Sequence, residues 1–201
     1  MLRVVNEFEQ SLVANMGSFN LDLPVETVSR LGEYYSLLTR WNDRLHLVAP
    51  CSPEEFAVRH VLESLMLLPH LPPNARLADI GSGGGLPIIP CLIARPDLQA
   101  TLIESSQKKS VFLREASRSL QATIIAQRFE QADPPPVDFV TCRALDQFMQ
   151  KLPALINWAG GKTLLLFGGE SLREELRKAN VTFEAFLIPQ SEKRFLFLAA
   201  D

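Results

Sequence analysis

Eleven consecutive residues, Leu77-Ala78-Asp79-Ile80-Gly81-Ser82-Gly83-Gly84-Gly85-Leu86-Pro87, constrain this chain more than any other stretch. A short apolar segment with strand character runs straight into a glycine cluster, and a helix is expected to open at Pro87. Glycine reaches positive backbone dihedrals without strain and lets the main chain approach a ligand with no side chain in the way. Proline inside a helix start loses nothing, because that amide would be unpaired anyway. Strand, glycine turn and helix N-terminus together predict a nucleotide-sized site at the carboxyl edge of a parallel sheet.

The spacing narrows the ligand. A dinucleotide fingerprint needs G-x-G-x-x-G, whereas here the third glycine of Gly81-x-Gly83-Gly84-Gly85 comes one residue early. After the predicted helix, Ala100-Thr101-Leu102-Ile103 reads as a second strand ending in Glu104. An acidic residue about twenty positions past the loop is placed to accept hydrogen bonds from a ribose. The acidic form opening on Asp79 resembles the S-adenosylmethionine methyltransferases more than the dehydrogenases.

Composition bounds the rest. At 201 residues the chain fits one domain and is long enough for a sizeable core. The net charge of -3 is unevenly spread. Residues 1–75 hold 5 Lys/Arg against 9 Asp/Glu, while residues 76–201 hold 15 against 14. That balance argues against tight, non-specific affinity for nucleic acid. The cysteines Cys51, Cys91 and Cys142 show no metal-ligand or disulfide spacing, so reduced thiols and no metal are expected. No apolar run approaches the roughly eighteen residues of a membrane span, and Glu7 and Glu9 break any signal-peptide pattern. A soluble cytoplasmic protein is expected.

Along the chain, the first seventy residues read as helical, with Val5, Phe8 and Leu12 and then Val28, Leu31, Tyr35, Leu38 and Trp41 at helical spacing. A third helix starts after Ser52 as its cap, with Pro53 in the first turn, and carries Phe56, Val58, Val61, Leu62, Leu65 and Leu68 inward. From Arg76 the reading alternates: strand 76–80, helix 87–94, strand 100–104, helix 107–120, strands 122–126 and 137–142, helix 145–156, strand 162–167, helix 170–179, strands 181–188 and 194–199. Such alternation implies an α/β fold, a mostly parallel seven-stranded sheet covered on both faces. The last two strands form an antiparallel hairpin, the finish of the Rossmann-like S-adenosylmethionine methyltransferase fold. Two units are expected: an N-terminal helical cap over 1–75, packed on the core because its apolar stripes need a partner, and a methyltransferase domain over 76–201.

Several segments, in order, resemble one family, the bacterial small-subunit ribosomal RNA guanine-N7 methyltransferases, also called the glucose-inhibited division protein B family. They are Arg40-Trp41-Asn42 with Leu47, Val58-Arg59-His60-Val61-Leu62-Glu63-Ser64, the glycine loop with Pro90 beyond it, and Leu102-Ile103-Glu104-Ser105 with Lys108-Lys109 and Phe112-Leu113. Arg128-Phe129-Glu130 and Cys142-Arg143-Ala144 complete the set. The resemblance implies methyl transfer from S-adenosylmethionine to guanosine N7 in 16S rRNA, on the 30S particle, by a monomer that needs no membrane. It assigns cofactor binding to Asp79, Gly81, Gly83, Gly85 and Leu86 in the loop, Glu104 on the ribose hydroxyls, Phe129 and Glu130 flanking the adenine, and Arg143 at the pocket facing the substrate. Arg143 is also the candidate catalytic residue, in a positioning sense. N7 is a lone-pair nucleophile with no proton to lose, which agrees with a chain showing no evident general base and leaves catalysis to alignment.

The chain departs from the family pattern at His46-Leu47-Val48, at Glu63-Ser64 and at Phe167-Gly168-Gly169. The cofactor half is common to several classes, so a small-molecule methyltransferase and a non-catalytic cofactor-binding relative remain open at this point. Trp41, Tyr34 and Tyr35 read as core packing rather than as base-stacking platforms. His60 reads equally as a core histidine or a substrate contact. Lys193-Arg194 reads as an edge-strand guard, and an open cleft rimmed by Arg59, Lys108, Lys109, Arg143 and Arg194 would favour RNA.

Overall fold

The computed structural model describes residues 2–143 and 147–200. Four helical pieces come first: α1 (Leu2–Met16), α2 (Val25–Leu45), α3 (Pro53–Phe56) and α4 (Glu63–Leu65), the last two joined through a π-helical stretch over Ala57–Leu62. Ser52 caps α3, its hydroxyl accepting from the Glu55 amide at 3.1 Å, with Pro53 in the first turn as predicted. The alternating part follows as β1 (Arg76–Ile80), α5 (Ile88–Ala94), β2 (Gln99–Ile103), α6 (Gln107–Ala116), β3 (Ala122–Ile125), β4 (Phe139–Cys142), α7 (Phe148–Ala159), β5 (Thr163–Gly168), α8 (Glu170–Lys178), β6 (Thr182–Leu187) and β7 (Phe195–Ala200).

The seven strands lie in the order β3-β2-β1-β4-β5-β7-β6, with β1 to β5 parallel and β7 antiparallel to both β5 and β6. Alternation along each strand divides the core in two. Leu77, Leu102, Leu165 and Leu196 face the cluster that holds α1 to α6. Ala78, Ile103, Leu166 and Phe197 face α7 and α8. The N-terminal helices bury Phe8, Leu12, Leu31, Leu38 and Phe56 in the first cluster, against α5, α6 and the sheet. Phe8 stacks on Tyr35 with ring centroids 4.6 Å apart, and Trp41 meets Phe112 edge-on at 6.1 Å.

The differences from the sequence reading are local. Helix α5 begins at Ile88, so Pro87 is its N-cap and not its first helical residue. Helix α6 stops at Ala116, not 120, because Ser117 turns its hydroxyl back on the Leu113 carbonyl and the chain tightens into three-residue turns. In the described residues α7 starts at Phe148; the expected start at 145, and Ala144 of the motif, lie outside them. Strand β7 is interior, between β5 and β6, so the edge-guard reading of Lys193-Arg194 does not hold.

Candidate functional site

The carboxyl ends of β1, β2, β3 and β4 open onto one cleft of about 610 Å³, a size suited to a nucleoside-containing ligand. Each strand contributes in turn. Gly81 to Gly84 follow β1, Glu104 ends β2, Gln127 to Glu130 follow β3, and Arg143 follows β4. The segment Leu47 to Ala49 and the π-helical His60 close the side formed by the N-terminal helices.

The loop is built by backbone geometry. Gly81, Gly83 and Gly85 have φ of 70°, 50° and 81°, in the region that side-chain-bearing residues rarely adopt. A Cβ on Gly85 would meet the Ile89 side chain at 2.3 Å, so this glycine serves the packing of the loop on α5. A Cβ on Gly83 would meet nothing closer than the Gly81 carbonyl at 3.7 Å, so there the open space belongs to the cleft that Gly83 lines.

Glu104 joins loop and sheet. Its Oε2 accepts from the Gly83 amide at 2.9 Å and its Oε1 from the Ser106 amide at 2.7 Å. A carboxylate offers about four lone-pair sites; two take the backbone bonds, and the Ser105 hydroxyl donates to Oε1 at 3.5 Å. The side chain lines the cleft while almost wholly buried, which suits acceptance from vicinal hydroxyls. Phe129 lines the β3 end of the cleft and is held edge-on to Trp158, whose indole N–H donates to the Ala132 carbonyl at 2.7 Å. Glu130 stands exposed beside it.

Two of the sequence candidates sit elsewhere. Asp79 lies behind the loop on β1, 1% exposed and not on the cleft wall, with Oδ2 unpartnered. Burial pushes its carboxyl up to about 7. Gly85 is likewise buried behind the wall, for the packing reason already given. Gly81, Gly83, Leu86, Glu104, Phe129, Glu130 and Arg143 do line the cleft.

Arg143 departs from expectation in its orientation. Its Nη1 donates to the His60 carbonyl at 3.1 Å and to the Ser64 hydroxyl at 3.2 Å, and its Nη2 donates to the Arg59 carbonyl. The guanidinium therefore grips the π-helical stretch instead of reaching freely towards substrate. The wider turn of a π-helix shifts the backbone bonds to i→i+5, and Arg143 serves two of the carbonyls there. Its Nη2 also lies 3.6 Å from Glu63 Oε2, and its carbon end sits 5.8 Å from the centre of the Phe167 ring.

Glu63 is a residue that sequence reasoning passed over except as a departure from pattern. It is 2% exposed, and its Oε1 pairs with Arg194 Nη1 while Oε2 faces Arg143. Burial pushes this carboxyl up, with Arg143 and Arg194 opposing. The signal available was a lone acidic residue among Val61, Leu62 and Leu65 on a buried face, since a buried charge almost always has a partner. Arg194 is thus a tie between hairpin and helix. Of the cations expected at the rim, only Lys109 and Arg143 line the cleft; Arg59 pairs with Glu55. Arg128, from the Arg128-Phe129-Glu130 segment, and Lys151, not singled out before, take places on it.

Asn42 and Tyr34 hold the wall formed by the N-terminal helices. Asn42 Oδ1 accepts from the Val48 amide at 2.9 Å and its Nδ2 donates to the Val48 carbonyl at 3.1 Å, fixing the segment that carries Leu47. Tyr34, buried, donates its hydroxyl to the Gly84 carbonyl at 2.6 Å.

A family model described as rRNA small subunit methyltransferase G matches residues 27–198. The ribosomal RNA small subunit methyltransferase G of Methylobacillus flagellatus is 42% identical over 143 residues, covering 69% of each chain. Its counterpart from Sorangium cellulosum is 36% identical over 182 residues, 85% of this chain and 76% of that one. Among solved structures, magnesium protoporphyrin IX methyltransferase from Synechocystis with bound S-adenosylmethionine aligns at a TM-score of 0.60 and 16% identity over 90% of this chain and 99% of that one, a likeness of fold. Matched over residues 27–198 by that family model, and 36% and 42% identical to these relatives over most of its length, the chain belongs to the rRNA small subunit methyltransferase G family.

Proposed function

We propose that this protein transfers a methyl group from S-adenosylmethionine to N7 of a guanosine in 16S ribosomal RNA. Membership of the family supports the reaction class. The donor set fits the cofactor: a buried carboxylate at Glu104 with acceptor capacity beyond its backbone bonds, an aromatic wall at Phe129, and a loop whose Gly83 leaves room for a ligand. When bound, S-adenosylmethionine supplies a sulfonium methyl that the N7 lone pair takes as the sulfur–carbon bond breaks, its pair staying on sulfur and no proton leaving the base. The chain's task is to hold two ligands in line, a proximity effect.

One contact supports the choice of nucleophile: Arg143 Nη2 stands 3.3 Å from His60 Nδ1 and occupies it. The imidazole in the cleft is His60, and burial together with Arg143 lowers it to about 3, too weak a base to take a proton from an acidic N–H or hydroxyl at neutral pH. N7 asks for no such base. Arg128 and Glu130 on the rim are exposed, so the cleft opens to solvent, which favours a macromolecular substrate over a small molecule held in a sealed pocket. Lys109, Arg128 and Lys151 would meet phosphates there.

In this reading residues 1–75 are a helical cap on a methyltransferase domain of residues 76–201. The substrate is the 30S particle, whose folded RNA presents an ordered base that a chain of net charge -3 does not impose on naked RNA. The protein works as a cytoplasmic monomer away from membranes; no helix among the described residues is long and apolar enough to cross one. The test is transfer of tritiated methyl to 30S particles from cells lacking the activity, followed by nucleoside analysis. Label in 7-methylguanosine is the expected result. No incorporation with S-adenosylhomocysteine binding intact would overturn it in favour of a non-catalytic relative.

A further inference from the structure

One guanidinium holds His60 twice. Arg143 Nη1 donates to the His60 carbonyl, and Nη2 stands 3.3 Å from the His60 ring nitrogen Nδ1. Arginine has donors only, so Nδ1 accepts and the ring proton is on Nε2. The imidazole is also packed on Phe56, with ring centroids 5.0 Å apart. Among the described residues Nε2 makes no hydrogen bond, and the side chain lines the cleft. The result is a fixed N–H donor with no partner among the described residues.

The sheet order says what stands before it. Reading β3, β2, β1, β4 across the cleft gives Phe129 and Glu130, then Glu104, then the glycine loop, then Arg143 beside His60. With the adenine at Phe129 and the ribose at Glu104, as proposed above, the methyl group lies towards β1 and β4. The base that receives it therefore enters next to His60. Along the major-groove edge, guanine presents N7 and O6 as adjacent acceptors, whereas adenine presents N7 beside the N6 amino donor.

We infer that His60 is a specificity-determining residue whose Nε2–H donates to O6 of the target guanine and so distinguishes it from adenine. Adenine N7 is also a lone pair, and alignment alone gives no reason to reject it. A donor at this position faces an acceptor in guanine and another donor in adenine, leaving two N–H groups opposed with the base in place. Neutrality of the ring matters as well. Methylation moves the positive charge from sulfur to the guanine ring, and an imidazolium against O6 would oppose that charge. Burial and the neighbouring Arg143, Arg59 and Arg194 keep the ring neutral.

This inference rests on the guanine-N7 reading, and the experiment separates the two. Particles are reconstituted with 16S rRNA carrying either guanosine or 2-aminopurine riboside at the methylated position; 2-aminopurine keeps N7 and lacks O6. The kcat/KM ratio of the two substrates is measured for the wild type, His60→Phe and His60→Gln, together with S-adenosylhomocysteine affinity. Because each ratio is internal to one protein, partial loss of folding does not move it. The wild type is expected to prefer guanosine by about 10-fold, the scale of one unmade hydrogen bond. His60→Phe is expected to act equally on both substrates, and His60→Gln, which keeps an N–H donor, to recover part of the preference. A His60→Phe enzyme that still prefers guanosine as the wild type does overturns the inference. So does weakened S-adenosylhomocysteine binding with an unchanged ratio, which would put His60 on the cofactor. A wild type that places no methyl on guanosine particles overturns the N7 reading itself, and this inference with it.

Discussion

The hydroxyl of Tyr34, in the middle of α2, donates a 2.6 Å hydrogen bond to the carbonyl of Gly84 at the centre of the glycine loop. Fifty residues separate the two, and both are buried. Burial raises the phenol far above its ordinary range, so it remains a donor at any working pH. Removing the hydroxyl by Tyr34→Phe leaves a buried carbonyl without a partner, at a cost of about 1–3 kcal/mol. Thermal melting is expected to shift down accordingly. Calorimetry is expected to show weaker S-adenosylhomocysteine binding, because the loop loses its brace from the N-terminal helices. A variant that melts lower but binds as before would show that the brace serves stability alone.

The triad of Glu63, Arg143 and Arg194 joins α4, the end of β4 and the start of β7. Glu63→Gln leaves two guanidinium groups without their counter-charge, and breaking a buried pair in this way costs about 3–5 kcal/mol. Urea denaturation is expected to show a loss in that range. Adding Arg194→Gln should recover part of it, because one of the stranded charges is gone. Equal losses in the single and double variants would mean that Arg194 is not coupled to the carboxylate.

Acid sensitivity follows from His60. Its folded imidazole titrates at about 3, against 6.5 when free. The unfolded chain therefore binds a proton that the folded one refuses. Stability conferred by the neutral ring is lost as pH falls from about 6.5 towards 3, at up to about 1.4 kcal/mol per pH unit. Asp79, raised to about 7, works in the opposite sense: its folded form binds the proton more tightly, and stability falls as pH rises from about 4 to 7. Urea midpoints against pH should show a shallower acid slope for His60→Gln than for the wild type. Asp79→Asn should gain stability over the wild type at pH 8 and not at pH 4. Slopes indistinguishable from the wild type would mean that the groups are not held neutral as described.

Gly83 and Gly85 should respond oppositely to the same added methyl. At Gly83 the space is open, so Gly83→Ala incurs only the left-handed backbone penalty of about 1–2 kcal/mol, while its methyl occupies room the ligand needs. At Gly85 the methyl collides with Ile89, and overpacking of this kind adds about 1–3 kcal/mol to the same backbone penalty. Ligand affinity is expected to fall first at Gly83 and melting temperature first at Gly85. Gly83→Val should abolish S-adenosylhomocysteine binding. Equal affinity losses at the two positions would show that both line the ligand.

Local chemistry alone determined a good deal. The capped start at Ser52-Pro53, the alternation from Arg76 onward, the closing hairpin and the meeting of Gly81–Gly84 with Glu104 all follow from periodicity, turn residues and strand-to-loop spacing. Each is settled by neighbours within a few residues or by the regular βαβ crossover. Other features depended on residues distant in sequence. Whether a charged residue after β4 reaches into the cleft or turns away depends on which carbonyls lie near it, and a π-helical turn more than 80 residues earlier supplies those for Arg143. Whether Arg194 guards an edge or answers a buried Glu63 depends on β7 inserting beside β5. Asp79 matches the loop pattern, yet its side chain points into the core beneath the glycines. Burial, tautomer and ion pairing are properties of the packed environment, and in this protein that environment is assembled from the N-terminal helices, the sheet edge and the final hairpin together.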